Sequence, residues 1–140
     1  MIISLIGFMA TGKTSIGKKL AKNLGYEFID LDQYIENLTK MSIKKIFEKK
    51  GEKHFRTLEK KLLSKVLDQY QDLVISPGGG IVIDQDNIEL IKEKTIPFLL
   101  KAKPKNIVNR IDDIKKRPLL NKKDPEEIIK KLLKERQKYY

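Results

Sequence analysis

Residues 7 to 14 carry the clearest chemical signal in this sequence. They read Gly-Phe-Met-Ala-Thr-Gly-Lys-Thr and fit the pattern G-x-x-x-x-G-K-[ST]. Glycines let backbone N–H groups converge on phosphate oxygens, and a helix beginning near Lys13 adds a positive field. Lys13 is expected to bridge the β- and γ-phosphates of ATP, and the Thr14 hydroxyl to ligate one Mg²⁺ ion. The predicted ATP-binding residues here are Ala10, Thr11, Gly12, Lys13, Thr14 and Ser15.

Two carboxylates follow the next apolar run, in Phe28-Ile29-Asp30-Leu31-Asp32. Ligands bind at the carboxyl ends of strands in an open parallel sheet, and residues two apart on a strand share one face. One carboxylate can hold a Mg²⁺-bound water while the other receives a substrate hydroxyl. The alternative is that Asp30 ends the strand and Asp32 caps a helix.

Two further segments could hold a small anion. Arg56 and Glu59 stand three apart on a predicted helix, so they can pair and leave one edge of the guanidinium for a carboxylate. A surface ion pair is the alternative. Gly78, Gly79 and Gly80 follow the third apolar run, where they indicate either a close approach of the backbone to a ligand or a plain flexible turn.

Arginine is rare in this chain, and its rarity is informative. Only four of the 30 basic residues are Arg, namely Arg56, Arg110, Arg117 and Arg136. A chain that otherwise uses Lys is expected to keep Arg where a planar, bidentate group is needed. The composition therefore nominates all four as site residues.

The elements that must position these residues alternate between strand and helix. Short apolar runs predict strands at 2–6, 28–31, 73–75 and 96–100. Helical spacing places Ile16, Leu20 and Leu24 on one stripe, and further helices are predicted after Ser42, from Phe55, around 88–91 and 107–111, and from Pro125 to about Arg136. This alternation predicts an α/β fold with a parallel sheet and helices on both faces.

Composition limits the remaining possibilities. The 140 residues are 40% hydrophobic and 35% charged, which suits one globular domain over 1–140. The chain has no Cys, so disulfides, thiol catalysis and zinc-thiolate sites are excluded. The net charge of +11 reflects scattered lysines without interleaved aromatic residues, which argues against nucleic-acid binding. No apolar run predicts a membrane span or an export signal, and we expect a cytoplasmic monomer.

Taken together, the motifs resemble those of shikimate kinases over nearly the whole chain. They are G-F-M-x-x-G-K-T, D-x-D, F-R-x-x-E, G-G-G, and R-P-L-L followed by a late Arg in E-R-x-x-Y-Y. The resemblance implies phosphorylation of the 3-hydroxyl of shikimate by ATP, in the biosynthesis of chorismate and the aromatic amino acids.

The resemblance also implies a role for each matching residue. Lys13, Asp32 and Arg117 would be catalytic, with Arg117 on a mobile lid at about 112–123 that also binds ATP. Thr14 and Asp30 would serve the metal. Arg110 would stack on adenine. The shikimate-binding set would be Asp32, Arg56, Gly78, Gly79, Gly80 and Arg136, and a shikimate-binding segment would span about 32–60.

The implied architecture is a P-loop NTPase fold of the nucleoside-monophosphate-kinase-like type, with three layers and sheet order 2-3-1-4. The fifth strand of the family is missing from the 140 residues, and Tyr139-Tyr140 is expected to begin it. Ala10 also stands where the family often has Gly.

Two other functions remain open at the level of sequence. A P-loop alone does not separate a shikimate kinase from a gluconate or nucleotide kinase of the same fold. A non-catalytic, basic nucleotide-binding protein descended from a kinase is the alternative of a different class, although every catalytic position is filled.

Overall fold

The computed structural model describes residues 1–111 and 124–140. Its strands are β1 (Ile2–Ile6), β2 (Glu27–Asp30), β3 (Leu73–Ser76) and β4 (Ile96–Leu99). Its helices are α1 (Lys13–Leu24), α2 (Leu31–Thr39), α3 (Ile43–Gln69), α4 (Gln85–Lys94), α5 (Pro104–Arg110) and α6 (Pro125–Arg136), with a short 3-10 helix at Ile81–Ile83. The predicted lid and Arg117 lie outside the described residues.

The four strands form one parallel sheet in the order β2-β3-β1-β4, which confirms the predicted architecture. β1 is central and buried at every position, as its unbroken apolar sequence requires. β4 lies at the edge, where Ile96 and Phe98 remain about half exposed. The carboxyl ends of β1, β2 and β3 meet at one edge, so the segments that follow them converge there.

Alternating residues of β1 face two different layers. Ile2 and Ile6 pack in a core formed with α2, α3 and α4, whereas Ile3 and Leu5 pack with Ala21 of α1 on the opposite face. A third cluster joins the loop after β1 to the last two helices through Phe8, Ile107 and Ile129. This third cluster ties α5 and α6 to the phosphate-binding loop.

The face of α1 that packs on the sheet is not the predicted one. Gly17 and Ala21 are buried, whereas Ile16 and Leu24 are 45% and 41% exposed. A Cβ atom on Gly17 would lie 2.3 Å from Cε2 of Phe28, so only a small residue lets the helix lie this close to the sheet. The predicted stripe is therefore wrong at Ile16 and Leu24, whereas Leu20 does pack against the cluster beneath α1. Close packing on small residues outweighs the hydrophobic spacing at the other two positions.

Two further elements differ from the predictions. β2 ends at Asp30, and the helix α2, which was not predicted, begins at the next residue, so Asp32 lies in a first helical turn rather than on a strand. After α6 the N–H groups of Tyr139 and Tyr140 both donate to the Arg136 carbonyl. These bonds form a turn, so the prediction that Tyr139-Tyr140 begins a strand is wrong.

Local capping chemistry explains the helix boundaries that were predicted well. The Ser42 side chain accepts from the N–H of Lys45 at the start of α3, and Asp124 accepts from Glu127 ahead of Pro125 in α6. Gly51 breaks the helical geometry inside α3 at φ 84°, between the helices predicted after Ser42 and from Phe55.

No helix in the described ranges has both the length and the apolar character needed to cross a bilayer.

Candidate active site

The loop between β1 and α1 is closed by its own lysine. Lys13 is buried, and its Nζ donates to the carbonyl oxygens of Gly7 and Phe8 at 2.9 and 2.7 Å. Gly12 precedes the helix at φ 97°, and Ala10 adopts φ 57°, a left-handed conformation that favours glycine. The departure from Gly at this position is therefore accommodated with some backbone strain, and the loop keeps its phosphate-binding shape.

Thr14 and Asp30 face one another at the start of two helices. The Thr14 hydroxyl donates to Oδ2 of Asp30 at 2.7 Å, and Oδ1 of Asp30 accepts from the N–H of Gln33 to cap α2. The alternative was right that Asp30 ends the strand, but the residue that caps the helix is Asp30 itself and not Asp32. Capping and metal binding therefore concern the same carboxylate and do not exclude each other. Both side chains offer the oxygen donors that Mg²⁺ prefers, and Mg²⁺ ordinarily completes its shell with phosphates and water.

A cavity of about 920 Å³ opens over this loop. The predicted ATP-binding positions from Ala10 to Ser15 line it, and so does Arg110, whose Nη1 donates to the Ala10 carbonyl at 3.3 Å. Asp30 and Asp32 line the same cavity, together with Gly78 and Gly79. The structure therefore brings together every predicted ATP-binding residue that it describes.

A smaller pocket of about 70 Å³ adjoins the large cavity. Its polar walls are Asp32, Arg56, Glu59, Gly79, Gly80 and Arg136, and its apolar walls are Met9, Ile43, Phe47 and Phe55. Met9, Asp32, Ile43 and Gly79 line both spaces. The predicted substrate-binding residues thus converge from four parts of the chain. The four apolar walls were not predicted, since nothing in their spacing separates a pocket wall from a core residue.

Arg56 is held in one orientation in this pocket. Its Nη1 donates to Oε2 of Glu59 at 2.8 Å and its Nη2 to Oε1 of Glu52 at 3.3 Å. Its Nε is buried and has no acceptor among the residues that the structure describes. A Cβ atom on Gly80 would lie 2.4 Å from Nη1, so the third glycine makes room for the guanidinium. The pair Arg56–Glu59 is therefore part of the pocket rather than a surface ion pair.

Glu59 is a site residue whose importance the sequence understated. It is 1% exposed, and burial raises its pKa to about 7; Arg56 lowers the pKa, Asp32 adds to the increase, and Arg136 lowers it again. Burial opposes the charge of Arg56 as well, but Glu59 and Glu52 outweigh that effect and the pKa of Arg56 is raised. The pocket thus holds two arginines beside two carboxyl groups, of which Glu59 is about half protonated near pH 7.

Arg136 enters the same pocket from α6. It is 4% exposed, its Cζ lies 5.4 Å from the centre of the Phe8 ring, and its Nη1 donates to the Gly79 carbonyl at 3.2 Å. The Tyr140 hydroxyl donates to the same carbonyl at 2.8 Å, a contact that the sequence analysis did not foresee. The tyrosines of the E-R-x-x-Y-Y segment are the only sequence signal from which this contact could have been predicted.

Comparison with known proteins agrees with this geometry. The sequence model of the shikimate kinase family matches residues 9–140. The chain belongs to the shikimate kinase family. A shikimate kinase of Caldanaerobacter subterraneus subsp. tengcongensis is 45% identical over 138 residues, which cover 99% of this chain and 80% of that protein.

Solved structures of this family and of other kinases are also similar to the structure of this chain. A shikimate kinase from Acinetobacter baumannii in complex with shikimate superposes with a TM-score of 0.96 at 39% identity, covering 99% of this chain and 77% of that one. A gluconokinase from Sinorhizobium meliloti reaches a TM-score of 0.55 at 13% identity, over 94% of this chain and 72% of that one. That second likeness shows the fold alone.

Proposed function

We propose that this protein is a shikimate kinase, which transfers the γ-phosphoryl group of ATP to the 3-hydroxyl of shikimate to give shikimate 3-phosphate and ADP. The observation that carries the proposal is the small pocket beside the phosphate-binding loop, where Arg56 and Arg136 converge next to Asp32. The family assignment supports the same reaction. The product enters the biosynthesis of chorismate and the aromatic amino acids.

The acceptor end of the reaction is assigned to the small pocket. Arg56 offers its buried Nε to the shikimate carboxylate, and Arg136 offers the guanidinium donors that Gly79 does not take. Asp32 stands where the small pocket meets the large cavity, so it binds the ring hydroxyls and accepts the proton of the attacking one. The backbone from Gly78 to Gly80 forms the wall against the ring.

The donor end of the reaction is assigned to the large cavity. Lys13 exchanges its carbonyl contacts for phosphate oxygens and offsets the charge that develops on the transferred group. Arg110 binds adenine, and Arg117 acts on the phosphoryl group from the proposed lid. Thr14 and Asp30 hold Mg²⁺, which neutralises phosphate charge when it is bound with ATP.

The remaining assignments follow from the same proposal. We expect a cytoplasmic monomer that binds ATP and shikimate and neither nucleic acid nor membranes, built as one domain over residues 1–140. A gluconate or nucleotide kinase is the nearest alternative. A nucleotide kinase is disfavoured because the buried Arg136 and the partly buried Arg56 suit a carboxylate better than a nucleobase. A gluconate kinase, whose substrate is also a polyhydroxylated carboxylate, is disfavoured by the family to which the chain belongs.

The deciding experiment is a coupled assay of ADP release with ATP, Mg²⁺ and one acceptor at a time. We expect turnover with shikimate and at least a hundredfold lower kcat/KM with the other acceptors. Nucleoside monophosphates have no carboxylate to pair with the arginine donors, and the open chain of gluconate does not hold its carboxylate and hydroxyls at the fixed spacing of the shikimate ring. The variant Lys13→Met serves as the inactive control and should lose most of kcat. Preferred turnover of gluconate or a nucleotide would overturn the proposal, and so would nucleotide binding without any turnover.

A further inference from the structure

Tyr140 makes a polar contact that the proposed reaction does not use directly. Its hydroxyl donates to the Gly79 carbonyl at 2.8 Å across 61 residues of sequence. Its ring packs against the partly buried edge of the main core. A turn in which the N–H groups of Tyr139 and Tyr140 bond to the Arg136 carbonyl brings the side chain back to the sheet. The contact is thus long-range and specific.

The Gly79 carbonyl is a shared acceptor. Nη1 of Arg136 reaches it at 3.2 Å and the Tyr140 hydroxyl at 2.8 Å. Burial raises the pKa of Tyr140 and Arg136 offsets this only in part, so the hydroxyl keeps its proton at neutral pH. Tyr140 and Arg136 therefore meet at one carbonyl oxygen.

Gly79 is the residue where the two substrate sites meet. It lines both the large cavity and the small pocket, and a Cβ atom on it would lie 3.0 Å from the backbone nitrogen of Met9. Tyr140 instead lines a separate groove with Phe8 and Leu133, behind the loop. The phenol thus holds Gly79 from outside both substrate cavities.

We infer that Tyr140 is a positioning residue for shikimate, fixing the Gly79 carbonyl and through it the guanidinium of Arg136. This inference rests on the proposed function. A carbonyl that is held by the Tyr140 hydroxyl offers Arg136 a fixed acceptor. One N–H of the guanidinium is then anchored, and its other donors are aimed at the carboxylate site before the ligand arrives, which reduces the ordering required on binding.

The test compares Tyr140→Phe with Tyr139→Phe. Each change removes one hydroxyl from the same turn and keeps the ring, but among the described contacts only the Tyr140 hydroxyl bonds to the site. We expect Tyr140→Phe to raise the Kd for shikimate about threefold to tenfold, as the loss of one hydrogen bond implies. The KM for ATP should change less than twofold, and Tyr139→Phe should match the wild type.

A second arm separates positioning from general packing. If Tyr140 acts through Arg136, its removal should add less than twofold to the Kd in an Arg136→Lys background, because coupled residues are not additive. An equal penalty in that background would overturn the inference. Equal losses of shikimate and ATP affinity would do the same, as would a Tm that falls about 5 °C below that of Tyr139→Phe, since each would assign Tyr140 a merely structural role.

The result for the wild type separates the two proposals. If the wild type phosphorylates shikimate and Tyr140→Phe binds it as the wild type does, only the inference about Tyr140 fails. If the wild type neither binds nor phosphorylates shikimate, the proposed function fails and the inference fails with it.

Discussion

Individual side chains in the small pocket are fixed before any ligand binds. Arg56 uses its two terminal nitrogens on Glu59 and Glu52, and Arg136 uses one on the Gly79 carbonyl. Each guanidinium is thereby oriented by protein acceptors while other donors remain for a ligand. A Lys side chain has three donors on a flexible stem and cannot reproduce such a planar arrangement. At this scale, specificity depends on the shape of the cation as well as on its charge.

Replacing either arginine by lysine tests whether the planar guanidinium is needed for shikimate binding. Arg56→Lys and Arg136→Lys should weaken shikimate binding by about 1.5–3 kcal/mol, the range for a hydrogen bond to a charged group. Nucleotide binding should hardly change, because neither residue lines the large cavity. Isothermal titration with shikimate and with ATP checks both statements.

Arg110→Lys provides the matched control for those two variants. Arg110 lies against the phosphate-binding loop at the Ala10 carbonyl and outside the small pocket. We expect it to weaken ATP binding and leave shikimate binding within twofold. The carboxylate assignment would be rejected if Arg56→Lys and Arg136→Lys bound shikimate with unchanged affinity.

At the scale of elements, the position of α1 determines where the loop presents its N–H groups. The helix lies close to the sheet because Gly17 and Ala21 face Leu5 and Phe28, whereas Ile16 and Leu24 are exposed. A helix that packs against a sheet through small residues can lie closer to it than a helix that packs through branched side chains. The helix start at Lys13 is thereby held directly over the end of β1.

Gly17→Ala tests this close packing. The new methyl group would meet the Phe28 ring at 2.3 Å and Leu5 at 3.1 Å. Overpacking costs roughly 1–3 kcal/mol, and the better helix propensity of Ala returns about 1 kcal/mol at most. We expect a net loss of about 1–2 kcal/mol in the free energy of unfolding, measured by urea denaturation.

The control for that variant is Ile16→Ala on the exposed side of the same helix. Its free energy of unfolding should stay within about 0.5 kcal/mol of the wild type, as for other exposed positions. If Ile16→Ala were the more damaging of the two changes, the buried face of α1 would be the one that hydrophobic spacing predicts.

For the whole molecule, one buried carboxylate links stability to pH. The pKa of Glu59 is about 7 in the folded protein against an ordinary value of 4.5. Between these two values the folded state binds a proton that the unfolded state has released, so stability falls as pH rises. The stabilisation that comes from protonating Glu59 is fully present below pH 4.5 and is lost as pH rises through about 7. The difference between the two pKa values corresponds to a total of about 3 kcal/mol.

Glu59→Gln removes this titration and keeps the size of the side chain. We expect the wild type to lose more stability than Glu59→Gln when ligand-free protein is moved from pH 5 to pH 7.5, measured by urea unfolding at each pH. Glu48→Gln, which removes a surface carboxylate paired with Lys44, should retain the slope of the wild type. Parallel pH profiles for the wild type and Glu59→Gln would show that Glu59 does not titrate in this range.

The sequence by itself determined the features that depend on neighbouring residues. The phosphate-binding loop is a contiguous motif whose glycines and lysine close it locally, and the caps at Ser42 and Asp124 act on backbone groups three residues away. The strands follow from apolar runs, and their order from the family that the motifs resemble. The predicted site residues that the structure describes lie together around the two cavities, and their roles stay predictions.

Only the tertiary structure decided the features that depend on distant partners. The burial of Glu59, which raises its pKa, results from packing between elements remote in sequence and has no periodic signature. Asp32 was assigned to a strand because the D-x-D spacing fits a strand as well as a helix start. The bond from Tyr140 to Gly79 joins residues 61 positions apart. Such contacts depend on how close whole elements approach, as Gly17 shows for α1, and close packing is a property of the assembled core rather than of any segment of the chain.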